Sequence, residues 1–216
     1  MSLTTSVRVR CRCGTFVDGT LFRSLNAEDH PEAREAVLDR SLHSLLCDQC
    51  GQLHSVEHAF AYVDMERRQL FGVFPEASRL DPRPWLELTV QSWEQAGRPD
   101  DVLVRAVFGL EELREKLVLH EAGLDDLALE VLKGDLLAHG GFRELGVATL
   151  FLDSVHDDTL VFVPFSGPEQ KLDRPEPVSV KRSLYDTYHR LGRRLLEVRP
   201  GIASGPHVSV LRLGLP

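Results

Sequence analysis

Cysteine is scarce in this chain. There are four in 216 residues, and all four fall in two short pairs, so a disulfide-dense secreted scaffold is excluded. Two methionines, two tryptophans and three tyrosines are also few. No run approaches the ~18 apolar residues of a membrane helix. The opening stretch "MSLTTSVRVRC" has no apolar core of a signal peptide, so a cytoplasmic, reducing location is expected. Positive charge is in deficit, with a formal net charge of -8. That argues against broad, nonspecific nucleic-acid binding. No GxGxxG, phosphate-binding loop, GxSxG or HExxH pattern occurs, and the nine histidines are scattered. The expectation is a protein that is not an enzyme.

What is present is enough to build a core. Hydrophobic residues make up 43% of the chain and charged residues 27%, the balance of an ordinary globular protein. "SVRVRCRCG" alternates Val7, Val9, Cys11 and Cys13 with Arg8, Arg10 and Arg12, which is strand periodicity. "GTFVDGTLFRSLN" continues extended, with a turn expected at Asp18-Gly19. "DHPEAREAVLDRSLHSLL" predicts a short helix with Pro31 in its first turn and Ala33, Val37, Leu38 and Leu42 as its inward stripe. "HAFAYVDMERRQLFGVFP" reads as a β-hairpin. The prolines of "EASRLDPRP" suggest a boundary. Beyond it come a helix carrying Trp85, Leu88, Ser92, Trp93 and Ala96, a strand in "DVLVRAVFG", and two helices over "LEELREKLVLHEAG" and "LDDLALEVLKGDLLAHGG". A second hairpin turning at 155–158, a loop "KLDRPEPVSV", an amphipathic helix through Leu184, Tyr188, Leu191 and Leu195, and a final strand "HVSVLRLGL" complete the chain. There is no repeat and no βαβ alternation, so the class is α+β. Residues 1–80 form a β subdomain around the cysteines with an inserted short helix. Residues 81–216 form an α+β domain with helices on a mostly antiparallel sheet.

"CRCG" at 11–14 and "CDQCG" at 47–51 each close on a glycine. Two short loops giving two thiolates each are the usual way to complete a tetrahedral zinc site. Gly14 and Gly51 can take the positive φ that a sharp knuckle needs. Cys47-x-x-Cys50 is standard spacing, whereas Cys11-x-Cys13 is tight. On one regular strand Cys11 and Cys13 would face the same way, about 6.5–7 Å apart. The metal ligands expected are therefore Cys11, Cys13, Cys47 and Cys50, holding Zn2+ in a closed, structural site. The alternatives are a redox dithiol, for which Cys47-x-x-Cys50 lacks a strand-to-helix setting, and a disulfide. His54 and His58 follow closely and could each replace a thiolate.

These stretches carry a resemblance. "CRCG", then "LFRSLNAEDHPEAREAVLDRSLHSLLCDQCG", then "HAFAYVDMERRQLFGVFP" with Tyr62 and Asp64 in a Tyr-x-Asp, resemble the CpXC family of bacterial proteins. The likeness runs on through "RAVFGLEELREKLVLHEAGLDDLALEVLK". The family pattern has a proline inside its knuckles. Here Arg12 and Asp48-Gln49 stand instead, and since proline is no ligand, metal binding should be kept. The resemblance implies a zinc-ribbon-like module and no particular activity.

The charged positions read plainly. Glu111, Glu112, Glu115 and Lys116 are expected on a solvated helix face, with Glu112–Lys116 a favourable i,i+4 pair. Asp125-Asp126 serves a helix N-terminus. The basic helix with Arg190, Arg193, Arg194 and Arg199 is expected to pack on its own domain. The function expected is a zinc-stabilised module that binds another protein. The alternative, a nucleic-acid binder, would use Arg8, Arg10 and Arg12. No membrane span is expected, and a homo-oligomer is compatible with the sequence.

Overall fold

The computed structural model describes residues 1–95, 97, 99–142, 144–166 and 176–213, with the backbone alone for Arg193, Val198 and Leu213. Ala96 of the expected helix stripe and 171–175 of the expected loop lie outside the described residues. The chain divides into two compact units, Met1–Arg114 and Glu115–Pro216. Helix content and several sheets mix in it, as an α+β class requires.

In the first unit, β1 (Leu3–Arg10) and β2 (Phe16–Asn26) form an antiparallel hairpin. Helix α1 (Pro31–Leu38) follows, entered through Pro31 and burying Ala33 and Val37 as its spacing predicts, whereas Leu38 is half-buried and Leu42, though buried, lies beyond the helix end. A small hairpin, β3 (Ser44–Leu46) with β4 (Leu53–Ser55), comes next. Then β5 (Phe60–Asp64) and β6 (Gln69–Phe74) form the expected hairpin. Helix α2 (Arg83–Gln95) leads to β7 (Leu103–Phe108). The sheet order is β1-β2-β5-β6-β7. β2 runs parallel to β5, and β6 parallel to β7. β7, which lies beyond the expected boundary at 80–81, is thus a strand of the N-terminal sheet.

Two expectations are corrected here. There is no turn at Asp18-Gly19: both lie inside β2, and the chain reverses at the first cysteine knuckle instead. Asp18 is held there by its cross-strand partner Arg8, 2.6 Å away. Glycine at 19 serves close packing rather than turning, since a Cβ there would overlap the side chain of Leu45 from β3. The helix stripe of α2 is carried by Trp85, packed on Phe74, and by buried Thr89, while Leu88 is exposed.

Helix α3 (Leu110–Glu121) crosses from the first unit into the second, and α4 (Asp126–His139) follows, capped by Asp125 accepting from Ala128 N–H at 2.8 Å. β8 (Thr149–His156), β9 (Thr159–Phe165) and β10 (Val178–Lys181) make an antiparallel sheet in the order β10-β9-β8. The expected loop therefore ends in a strand. The expected long amphipathic helix is broken: α5 (Arg182–His189) stops, and Gly192 with φ +52° precedes a short α6 (Leu195–Val198). Its inward residues are Tyr185 and Leu195, with the expected Tyr188 half-buried against the same core and Leu184 and Leu191 exposed. Among the described residues the expected C-terminal strand shrinks to β12 (His207–Val208), paired with β11 (Ala203–Ser204), before a 3-10 turn, and its last residues, 214–215, lie outside them. A core of Leu129, Leu132, Leu150, Leu152, Leu160 and Phe162, all fully buried, holds this unit.

The solvated face expected for α3 is also corrected. Glu112, Glu115 and Lys116 are at most 1% exposed. Acid–base spacing of three or four looks the same on a helix facing water and on one facing another helix. Here α4 supplies the partners. Lys133 sits 2.9 Å from Glu115 and 3.0 Å from Glu130, and Lys116 sits 3.1 Å from Glu130. Leu152 N–H donates to Glu115 at 2.7 Å and Val210 N–H to Glu130 at 2.8 Å. Burial pushes the Glu115 carboxyl up to about 7, with Lys133 opposing. Glu112 accepts from Phe108 N–H at 2.7 Å and lies 3.3 Å from Arg79. Glu111 alone meets the surface expectation, paired with Arg40 at 2.9 Å.

Candidate metal centre

Both cysteine pairs sit in hairpin loops rather than on strands. Cys11 and Cys13 lie between β1 and β2, and Cys47 and Cys50 between β3 and β4. The expected strand alternation of Cys11 and Cys13 does not apply, because β1 ends at Arg10. The reason is local. Cys11 N–H donates to Thr15 O at 2.8 Å and Gly14 N–H donates back to Cys11 O at 2.9 Å. That tight reversal needs a left-handed residue, and Gly14 provides it at φ +94°. The second loop repeats the scheme. Cys47 N–H donates to Gln52 O and Gly51 N–H to Cys47 O, both at 2.8 Å, with Gly51 at φ +71°.

The two knuckles meet at their sulfurs. Cys11 Sγ is 3.5 Å from Cys50 Sγ, and Cys13 Sγ is 3.7 Å from Cys47 Sγ. All four lie within 4.8 Å of one another. A tetrahedron of thiolates at ~2.3 Å from a central ion places sulfurs about 3.8 Å apart. These separations match it, and they exceed the ~2.05 Å of a disulfide. The four cysteines are free. The geometry can hold a metal ion, and neither His54 nor His58 belongs to the group. Cys11 and Cys47 are buried, while Cys13 and Cys50 face outward.

Without a cation, four thiols this close resist joint ionisation. The Thr15 side chain and backbone hold Cys13 down to about 6, aided by Cys11. The Gln52 backbone favours the Cys50 thiolate, yet the neighbouring thiols and desolvation outweigh it and push Cys50 up to about 12. A divalent ion removes that conflict by stabilising every thiolate at once.

Residues that the sequence did not single out hold the knuckles in place. His43, buried and at φ +58°, accepts the Phe22 N–H on Nε2 at 3.0 Å. Its ring stacks on Phe22 and meets Phe60 edge-on. The bond fixes the remaining proton on Nδ1, and burial holds the ring down to about 4. His43 thereby ties the segment leading into the second knuckle to the strand leading out of the first. Leu45 fills the space left by Gly19 to the same end. Only the lone glycine inside a strand pattern could have hinted at this contact. Tyr62 and Asp64 are both fully buried in β5; Asp64 accepts from the Arg67 N–H at 3.0 Å and closes the β5–β6 turn. Arg8, Arg10 and Arg12 are all exposed on the first hairpin and its knuckle. No helix among the described residues is long and apolar enough to cross a membrane.

The model of the CpXC protein family matches residues 9–133, which takes in both knuckles, α1, the β5–β6 hairpin, α3 and the first part of α4. The chain belongs to that family. No curated protein and no solved structure matches it.

Proposed function

For this CpXC protein we propose a non-catalytic module that binds zinc through Cys11, Cys13, Cys47 and Cys50 and presents its N-terminal unit to a protein partner in the cytoplasm. The carrying observation is the close approach of four sulfurs at 3.5 and 3.7 Å across two glycine-closed knuckles. An all-thiolate set favours zinc among the common divalent ions, and four protein ligands leave no coordination position for substrate. Such a site acts by holding two hairpins together, so its binding free energy is folding free energy. An interaction role is supported by apolar side chains left in water beside the metal loops. Leu46 and Leu53 face each other across β3–β4, both more than half exposed, and Phe16 stands exposed after the first knuckle.

Metal analysis of the purified chain tests the first half of the reading. The expected result is one tightly held zinc per chain, with thiols that resist alkylation until a chelator is added. Thiols that alkylate freely in the folded chain, or cycle with a disulfide, overturn it in favour of a redox protein. Crosslinking from native cells tests the second half. A protein captured by the metal-loaded chain and lost on chelation is expected. Capture of no protein by the metal-loaded chain removes the interaction role.

A further inference from the structure

We propose that the outer edge of β1 docks an extended acidic segment of a partner protein, which joins the N-terminal sheet as an added strand. The proposal rests on the protein-interaction reading above and specifies its surface. β1 is eight residues long and, among the described residues, pairs with β2 alone. Its outer row of N–H and C=O groups therefore has no strand to bond. An edge of this length is a template for another chain unless something blocks it.

The side chains say which chain it takes. Thr4, Ser6, Arg8 and Arg10 are exposed on one face of β1, while Thr5, Val7 and Val9 on the other are half-buried. Arg12 carries the cationic row into the knuckle. Arg8 is already engaged by Asp18, and its guanidinium lies 6.0 Å from the Phe16 ring. Arg10 sits opposite Phe16 in the β1–β2 register. Neither Arg10 nor Arg12 has an acidic partner among the described residues. A strand added beside β1 with a carboxylate at every second position places those carboxylates on the arginine face. Its alternate apolar side chains then lie beside Val7 and Val9. A basic strand meets repulsion, and so does a second copy of β1, so the same arginines reject self-pairing. Backbone satisfaction along the edge is something a peptide strand offers and a nucleic acid does not, and the net charge of -8 weakens attraction for a polyanion at long range.

The test uses the full, metal-loaded chain and a synthetic peptide alternating Asp and Val. Saturable binding that weakens with salt is expected, with amide shifts centred on 3–10. Arg10→Glu, which lies outside the metal loop, should weaken it about tenfold by replacing an attraction with a repulsion. Arg12→Glu should act in the same direction in a chain that retains its metal. A peptide N-methylated at alternate amides should fail, whereas a purely electrostatic surface would accept it. A Lys-Val peptide binding equally well, shifts lying away from β1, or self-association through β1 overturns the proposal. So does a single-stranded oligonucleotide that binds more tightly with the same arginine dependence. Where a crosslinked protein binds the Arg10→Glu chain with undiminished affinity, the edge proposal falls and the interaction reading stands. Where the metal-loaded chain captures no protein, that reading falls.

Discussion

The two units solve the same problem with opposite materials. The first, Met1–Arg114, gathers its sheet from segments far apart in sequence and pins two hairpins with four thiols. The second, Glu115–Pro216, packs helices on an antiparallel sheet around a continuous apolar core and buries an ionic network within it. β3 and β4 have three residues each, too few to stand without a staple. The second unit has a large buried apolar cluster, and its buried charges bond α3, α4, β8 and the C-terminal segment to one another. One unit gathers four thiols that could hold an ion; the other carries its charges within.

The largest break in that contrast should come from the metal. Chelation, or Cys47→Ser, should remove about 10–16 kcal/mol of apparent binding free energy from the first unit. Amide exchange should become fast across 1–55 while Leu129, Leu132 and Leu150 stay protected. Equal protection in both forms would mean that packing alone holds the knuckles. Next in size is the ionic network. Lys133→Met leaves Glu115 and Glu130 facing each other without their shared ammonium, and should cost about 3–5 kcal/mol in chemical denaturation. Zinc content should not change. A cost below about 1 kcal/mol would show that a methionine packs as well as the ion pair does.

Acidity should sharpen the contrast, because the key group of each unit titrates with opposite sign. His43 is held down to about 4 from an ordinary 6.5. Between those values the unfolded chain takes a proton that the folded chain refuses, so this stabilisation of the first unit is lost as pH falls from 6.5 toward 4. Glu115 is raised to about 7 from an ordinary 4.5. The folded chain there keeps a proton that the unfolded chain releases, so its contribution is greatest below 4.5 and declines as pH rises to 7. Exchange profiles at pH 5 and pH 7 should show the first unit weaker and this part of the second stronger at the lower pH. Glu115→Gln should flatten the second trend and leave the first. The smallest effect belongs to Arg8→Ala. It breaks a fully exposed pair with Asp18, and no measurable change in stability is expected.

The metal loops were legible in the sequence because thiolates and turn glycines are rare and local. Gly14 and Gly51 adopt the positive φ expected of them. The same holds for α1 behind Pro31 and for the β5–β6 hairpin, whose patterns lie within a dozen residues. The alternation around Cys11 and Cys13 does not reveal the end of the strand, because it continues through a knuckle as readily as through a strand. The leucine spacing of the basic helix does not reveal its break, which comes at Gly192.

The sequence by itself determined which atoms can hold an ion and where the chain must turn, since both depend on residue type and short spacing. The tertiary structure alone decided that β7 completes the first sheet, that Leu45 packs on Gly19, and that His43 ties one knuckle to the other. It also decided that Glu115, Lys116, Glu130 and Lys133 meet inside the protein rather than in water. A charge two turns along a helix carries no mark of what it will face. Desolvation and pairing are properties of the neighbours that folding brings, and those neighbours lie up to 92 residues away, as Lys116 and Val208 do.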